Sequence, residues 1–212
     1  MAYRDSDALA IAWLGPQNNR HCMTAAPKHL EMGELEAGMA HILASPKDCG
    51  TLELIVRRPR HEEREVLGIG ELHPAEGLRG DNWKERGSTR TPDGSADPGV
   101  QLTLMNARVI ALLAQEKTHW PLAGDQLFVD FDLSEANVPA GTQLEIGSAL
   151  IEVSTHPHTG CKKFTARYGL DAAKFVNSPT GRQLHLRGIN AKILRPGSVR
   201  IGDSVRKVGG SS

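Results

Sequence analysis

PAGTQLEIGSALIEV, residues 139–153, reads as strand, turn, strand. From Gln143 onward large apolar and β-branched residues fill both arms. Gly147-Ser148 between them is a turn dipeptide. The same grammar extends outward in both directions. Downstream, residues 184–194 and 198–208 read as further strands, with Pro196-Gly197 as the turn between them. Upstream, residues 127–131 (LFVDF), 51–58 (TLELIVRR) and 65–72 (EVLGIGEL) read as strands, the last two joined through Pro59-Arg60-His61-Glu62.

Three helical patterns interrupt the strands. Leu30, Leu35, Met39, Ile42 and Leu43 recur at helical spacing over residues 27–44, and Ser45-Pro46 ends the run. Residues 102–116 (LTLMNARVIALLAQE) predict the longest clear helix. Thr103 or Asn106 is its cap, and Val109, Leu112 and Leu113 lie on one side. Residues 170–177 predict a short helix ended by Ser178-Pro179. Short strands punctuated by Gly and Pro, with a few interposed helices, predict a mainly β fold, a barrel or sandwich with added helices. Residues 77–99 are too rich in glycine and proline for an element interior. A loop of that length inside a domain is expected to be functional, with residues 77–83 fixed and 88–98 loose.

Bulk properties bound the function. Twenty-five basic and 25 acidic residues cancel, so no global attraction to nucleic acid or an acidic membrane is expected. Arg57, Arg58, Arg60 and Arg64 cluster, but Glu62, Glu63 and Glu65 lie among them, which predicts a solvated loop or strand end. Cys22, Cys49 and Cys161 are odd in number and far apart, which fits a reducing cytoplasm and not a disulfide framework. No apolar run approaches the roughly 18 residues of a membrane span. Residues 1–27 differ in character from the rest: a weakly ordered appendage or a strand over 9–14 is expected, with residues 28–212 forming the main domain. The N-terminus has no signal-peptide pattern.

One segment carries chemistry. Residues 158–169 read HTGCKKFTARYG, placing Cys161 directly before Lys162 and Lys163, with Arg167 close behind. A thiol reacts or binds metal as thiolate, and nearby cations lower its pKa from about 8.5. The alternative is an inert core cysteine, the commoner state of the residue. His156 and His158 with Cys161 also offer N, N and S ligands to a metal such as zinc, although no fourth ligand is evident. Cys161 with His158 or His156 has the residue types for nucleophilic hydrolysis, but no nucleophile elbow surrounds the cysteine.

Four segments, in order, resemble the MOSC domain, the C-terminal module of molybdenum-cofactor sulfurases that also occurs as small stand-alone bacterial proteins. GLRGD (77–81) resembles its Gly-Leu-x-Gly-Asp loop, and QLTLMNARVIALLA (101–114) the helix that follows. PAGTQLEIGSALIEV, leading to Cys161-x-Lys163-Phe164-x-x-Arg167-Tyr168-Gly169, resembles the central strands and the family's cysteine. RGINAKILRPGSVRIGDSVR (187–206) resembles the closing strands. The likeness spans about residues 50–208. It departs at Asp81-Asn82-Trp83, where the family continues with Arg-His, and at Gly124-Asp125-Gln126, where the family has Gly-x-Asn.

The resemblance implies a closed antiparallel β-barrel of the pyruvate-kinase-barrel-like type, with a cleft near one end and Cys161 at its edge. It implies binding of molybdenum cofactor (molybdopterin), with sulfur transfer or molybdenum-dependent reduction of N-hydroxylated compounds as the reaction. It also carries an association with pyridoxal phosphate. On that reading Cys161 is the molybdenum ligand or sulfur carrier. Lys162, Lys163 and Arg167 hold the anion, Gly80, Asp81 and Asn82 also bind the cofactor, and the Gly77–Asp81 loop closes the cleft, its amides forming an anion nest. Asp81 has an equal alternative as the acceptor of its own Asx turn. The partners would be an anionic small molecule and an electron-donor or sulfur-donor protein. The contrasting expectation is a non-catalytic carrier or anion-binding module, and the third is a barrel that keeps the fold without the site.

Overall fold

The computed structural model describes residues 27–208; the expectation of a strand over 9–14 lies outside them. In chain order the strands are β1 (Cys49–Arg57), β2 (Glu65–Leu67), β3 (Ile69–His73), β4 (Gly77–Leu78), β5 (Leu102–Asn106), β6 (Leu127–Asp130), β7 (Gln143–Ile146), β8 (Ala149–Val153), β9 (Ile189–Arg195), β10 (Gly197–Arg200) and β11 (Ser204–Val208). The helices are α1 (Met32–Ala37), α2 (Met39–Leu43), α3 (Trp83–Arg86), α4 (Ala107–Ala114), α5 (Lys162–Tyr168), α6 (Leu170–Asn177) and α7 (Pro179–Gln183).

The strands β11-β7-β8-β9-β5-β6-β1 follow one another around a barrel, which closes where Gly50 of β1 pairs with Val205 of β11. β2 continues the sheet along the far half of β1, pairing Ile55 with Leu67. A smaller sheet, β10-β3-β4, stands beside it. The barrel is mixed, not purely antiparallel. β5 and β6 run parallel, with Met105 opposite Phe128.

The reason lies in residues 102–116, which are not one helix. Residues 102–106 are strand, and the helix begins at Ala107. Asn106 makes the break. Its Oδ1 accepts from the amides of Arg108 (2.8 Å) and Val109 (3.3 Å), as an N-cap does, while its Nδ2 donates to Ser45 Oγ and the Phe131 carbonyl. Parallel neighbours need a crossover connection, usually helical, and α4 with the segment after it supplies one between β5 and β6.

Other expected elements are divided or moved. Residues 65–72 split into β2 and β3 at Gly68, and 198–208 into β10 and β11 around a turn. The strand expected from 184 begins only at Ile189. The run 77–99 contains β4, α3 and a 3-10 turn over Pro98–Val100. Within 88–98, Thr91 Oγ1 donates to the Ser88 and Ser95 carbonyls. Residues 162–168, not read as helical from sequence, form α5.

Two apolar cores share the barrel wall. Leu52, Leu104, Leu127, Val129, Ile151 and Val205 fill its interior. Phe128, Met105 and Val56 point outward, onto Val109, Ile110, Leu113, Phe164, Tyr168 and Phe175 of the helices. Strand alternation sends neighbours to opposite faces. That is why β6 feeds both cores. Phe164 and Tyr168 of α5 and Phe175 of α6 join this outer core, with α5 packed on α6 and on the 3-10 segment Lys117–Ala123.

Candidate functional site

Beside α5 lies a cleft of about 420 Å³. Arg58, Arg60, Glu62 and Arg64 from the β1–β2 turn form one wall, and Asn82 and Arg86 from α3 a second. His158, Cys161, Lys163 and Arg167 close it on the α5 side, and Arg187 and Asn190, at the start of β9, lie across from them. Cys161 occupies the N-cap of α5 with extended backbone, and its thiol is free and exposed. Lys163 and Arg167 are four residues apart, so they share one helical face. Lys163 Nζ donates to Glu62 Oε1 (2.6 Å), and Arg167 donates to the other Glu62 oxygen and to the Leu122 carbonyl.

The arginine cluster near residue 60 is therefore cleft wall, not merely a solvated turn. Arg58 is locked from behind. Asp81 accepts from its amide (2.9 Å), Nε (2.8 Å) and Nη2 (2.9 Å), with side-chain exposures of 9% and 0% for the two residues. Arg187 is held likewise by Asp125 at 2.7 Å, with Asp125 fully buried. Arg64, Arg86 and Arg90 line the cleft and, among the described residues, have no carboxylate partner. Burial, and after it the nearby charges of Arg167 and Arg58, lowers Arg64 from the ordinary guanidinium range; burial and then Arg58 do the same to Arg86. Like charges held together across a partly desolvated cleft repel, and an anion placed between them relieves the repulsion.

Arg64 Nε, Asn82 Oδ1 and Arg187 Nε on this wall are buried without a hydrogen-bond partner. Unmet buried donors and acceptors are uncommon in folded proteins and mark places where a ligand or water completes the bonding. His158 Nδ1 stands 3.5 Å from Asp125 Oδ1. Burial first, then the Arg187 and Arg58 charges, holds His158 well below its ordinary value. The same burial raises Asp125, against the opposing pull of Arg187.

Of the residues singled out from sequence, Cys161, Lys163, Arg167 and Asn82 meet in this cleft, whereas Gly80, Asp81 and Lys162 are not on its wall. Asp81 serves from behind, and it also accepts from the Trp83 amide (3.1 Å), the Asx-type turn that was the alternative reading. The expected anion nest does not form. The amides of Arg79, Asp81 and Asn82 donate to the carbonyls of Glu71, Leu78 and Arg58. Gly80, at φ +80, serves to let the Arg57 side chain pass close by. The zinc reading is not supported by the geometry. His156 bonds Ser154 and faces Asp97, His158 faces Asp125, and no three His, Cys, Asp or Glu side chains gather as a metal would require among the described residues. Sequence reasoning missed Arg58, Arg64, Arg86, Arg187 and the His158–Asp125 contact. Nothing local distinguishes these residues from surface charge.

A second cavity of about 400 Å³ shares His158, Thr159, Arg187 and Asn190 with the first. No helix among the described residues is long and apolar enough to cross a membrane.

Comparison with known proteins gives a consistent result. A family model described as the MOSC domain matches residues 101–206. Among solved structures, one described only as a hypothetical protein superposes with a TM-score of 0.52 at 23% identity, covering 76% of this chain and 70% of that one. YiiM from Escherichia coli is similar at 0.50 and 20% identity, over 76% of this chain and 71% of its own. The YUAD protein from Bacillus subtilis is similar at 0.50 and 16%, over 74% and 94%. At such identities the likeness is one of fold. A search of curated proteins found no significant match.

Proposed function

Since the chain belongs to the MOSC domain family, we propose that its cationic cleft binds the phosphate-bearing molybdenum cofactor, with Cys161 as the sulfur that meets the metal. One observation carries the reading: an exposed free thiol shares a cleft with arginines that lack carboxylate partners. The residues fit the group. Arg64, Arg86, Lys163 and Arg167 supply the cations and forked donors a phosphate takes. The orphaned Asn82 Oδ1 is an acceptor for a ring N–H. A cleft of about 420 Å³ is within the size of ordinary cofactor sites. Cys161, as thiolate, would be the protein's ligand to the metal. Bound there, the cofactor would supply two-electron redox chemistry, as in reduction of N-hydroxylated compounds with an external electron donor. Arg58 and Arg187, held by Asp81 and Asp125, keep the wall rigid while it is loaded.

Metal and pterin analysis of protein purified from a cofactor-producing host tests this. Wild type is expected to carry molybdenum and pterin, and Cys161→Ala to lose the metal. Wild type without either, after expression in that host, would remove the proposal. The exposure of Cys161 favours a second reading, a sulfur carrier. A persulfide adduct on Cys161 in intact-mass spectra, without bound pterin, would select it.

A further inference from the structure

Among the described residues, Glu62 is the one carboxylate on the wall of the cationic cleft. Its two oxygens bridge Lys163 and Arg167, the pair presented by one face of α5. A phosphate would offer two of its oxygens to the same donors in the same way. The backbone at Glu62 is left-handed, with φ +61, a region that costs any residue with a Cβ. Glu62 is the third residue of a hydrogen-bonded turn, in which the Glu63 amide donates to the Arg60 carbonyl (3.1 Å), and such turns take a positive φ at this position.

We infer that Glu62 is a built-in occupant of the anion subsite on α5, displaced with its turn when a ligand bearing a phosphate dianion enters. The inference rests on the anion-binding reading of the cleft and adds how the site is kept filled and which ligands open it. The bond is of the kind that yields. Glu62 and Lys163 are 47% and 55% exposed, and an exposed ion pair adds little net stability because water solvates the separated partners nearly as well. The buried Arg58–Asp81 pair next to it stays, so the turn has a fixed root and a free tip. The hydrogen bond from Lys163, followed by the charge of Arg167, holds Glu62 at about 2, so the plug stays charged and acid does not remove it at ordinary pH. A free monocarboxylate brings no advantage over a tethered one, whose effective concentration is already high. A phosphate monoester or pyrophosphate brings more charge and further oxygens for Arg64. The site therefore selects against simple carboxylates.

The test is pyrophosphate binding by the full chain in titration calorimetry. Glu62→Gln is expected to bind roughly tenfold tighter than wild type, as the freed charge-assisted bonds pass to the ligand. Glu62→Gly, which removes the carboxylate and the backbone strain together, is expected to do the same. Glu71→Gln, which makes the same charge change on a carboxylate away from the cleft, is expected to stay within about twofold of wild type, as a remote exposed charge should. Acetate is expected not to compete. Equal or weaker binding by both Glu62 variants, with wild type binding, overturns the self-occupied site and leaves the anion cleft standing. No binding by wild type or variants removes both. Binding by the variants alone is the strongest support.

Discussion

Replacing Asp81 by Asn removes one charge from a pair that water scarcely reaches. Asp81 accepts three bonds from Arg58, at 2.8–2.9 Å, and one from the Trp83 amide at 3.1 Å. The amide keeps the shape but cannot accept from Arg58 with both side-chain atoms, and it carries no charge. The Arg58 guanidinium, whose side chain is 9% exposed, is left without a counter-ion beside the already crowded Arg64 and Arg86. Breaking one partner of a buried pair costs about 3–5 kcal/mol. At about 2–4 °C per kcal/mol for a chain of this size, the midpoint should fall by roughly 6–20 °C. A thermal melt followed by far-UV circular dichroism measures the midpoint, and urea unfolding the free-energy loss, with an unchanged m-value showing that the effect is on stability. Replacing both partners, Arg58→Met with Asp81→Leu, should recover most of the loss, because no uncompensated charge remains. A cost under about 1 kcal/mol for Asp81→Asn would refute the argument, since exposed pairs alone are that weak.

Four further outcomes follow from the same structure. The imidazole of His158 is held well below 6.5, so below that pH the unfolded chain binds a proton the folded chain refuses, and stability is lost as pH falls. His158→Gln should flatten this acid limb by up to about 1.4 kcal/mol per pH unit in denaturation curves from pH 7 to 5; identical slopes would count against it. Gly188→Ala, where φ is +102 and a Cβ would sit 2.1 Å from the Leu104 carbonyl oxygen, should lower stability by more than about 1 kcal/mol in a thermal melt. Asn106→Ala should cost at least about 1–2 kcal/mol by the same measurement, for it removes the α4 cap and the bond to Ser45. Alkylation of the native protein should label Cys49 and Cys161, the exposed thiols among the described residues, and of these two pyrophosphate should slow only Cys161; equal slowing at both would separate the thiol from the anion site.

The strands from 143 to 153 were legible because Gly147 breaks two runs of β-forming residues, and the turn stands where the sequence places it. That Cys161, Lys163 and Arg167 lie close together was legible too, since they fall within one stretch of chain. Residues 102–106 were not legible as strand. Thr103 is the one residue of the five that is not buried, so there is no alternation to read, and Leu102, Met105 and Val109 satisfy helical spacing equally well. Only the pairing of β5 with both β6 and β9 decides between the two states.

Local pattern thus determined the strand–turn grammar and one sulfur with its cations. Tertiary structure decided the parallel step in the barrel and the membership of the cleft. Arg58, Arg86, His158 and Arg187 come from separate segments, and they meet because the barrel closes and α5 packs on its outside. Hydrophobic periodicity records which face of an element is buried. It does not record which distant element will face a given charge, because that is set by how the chain returns on itself.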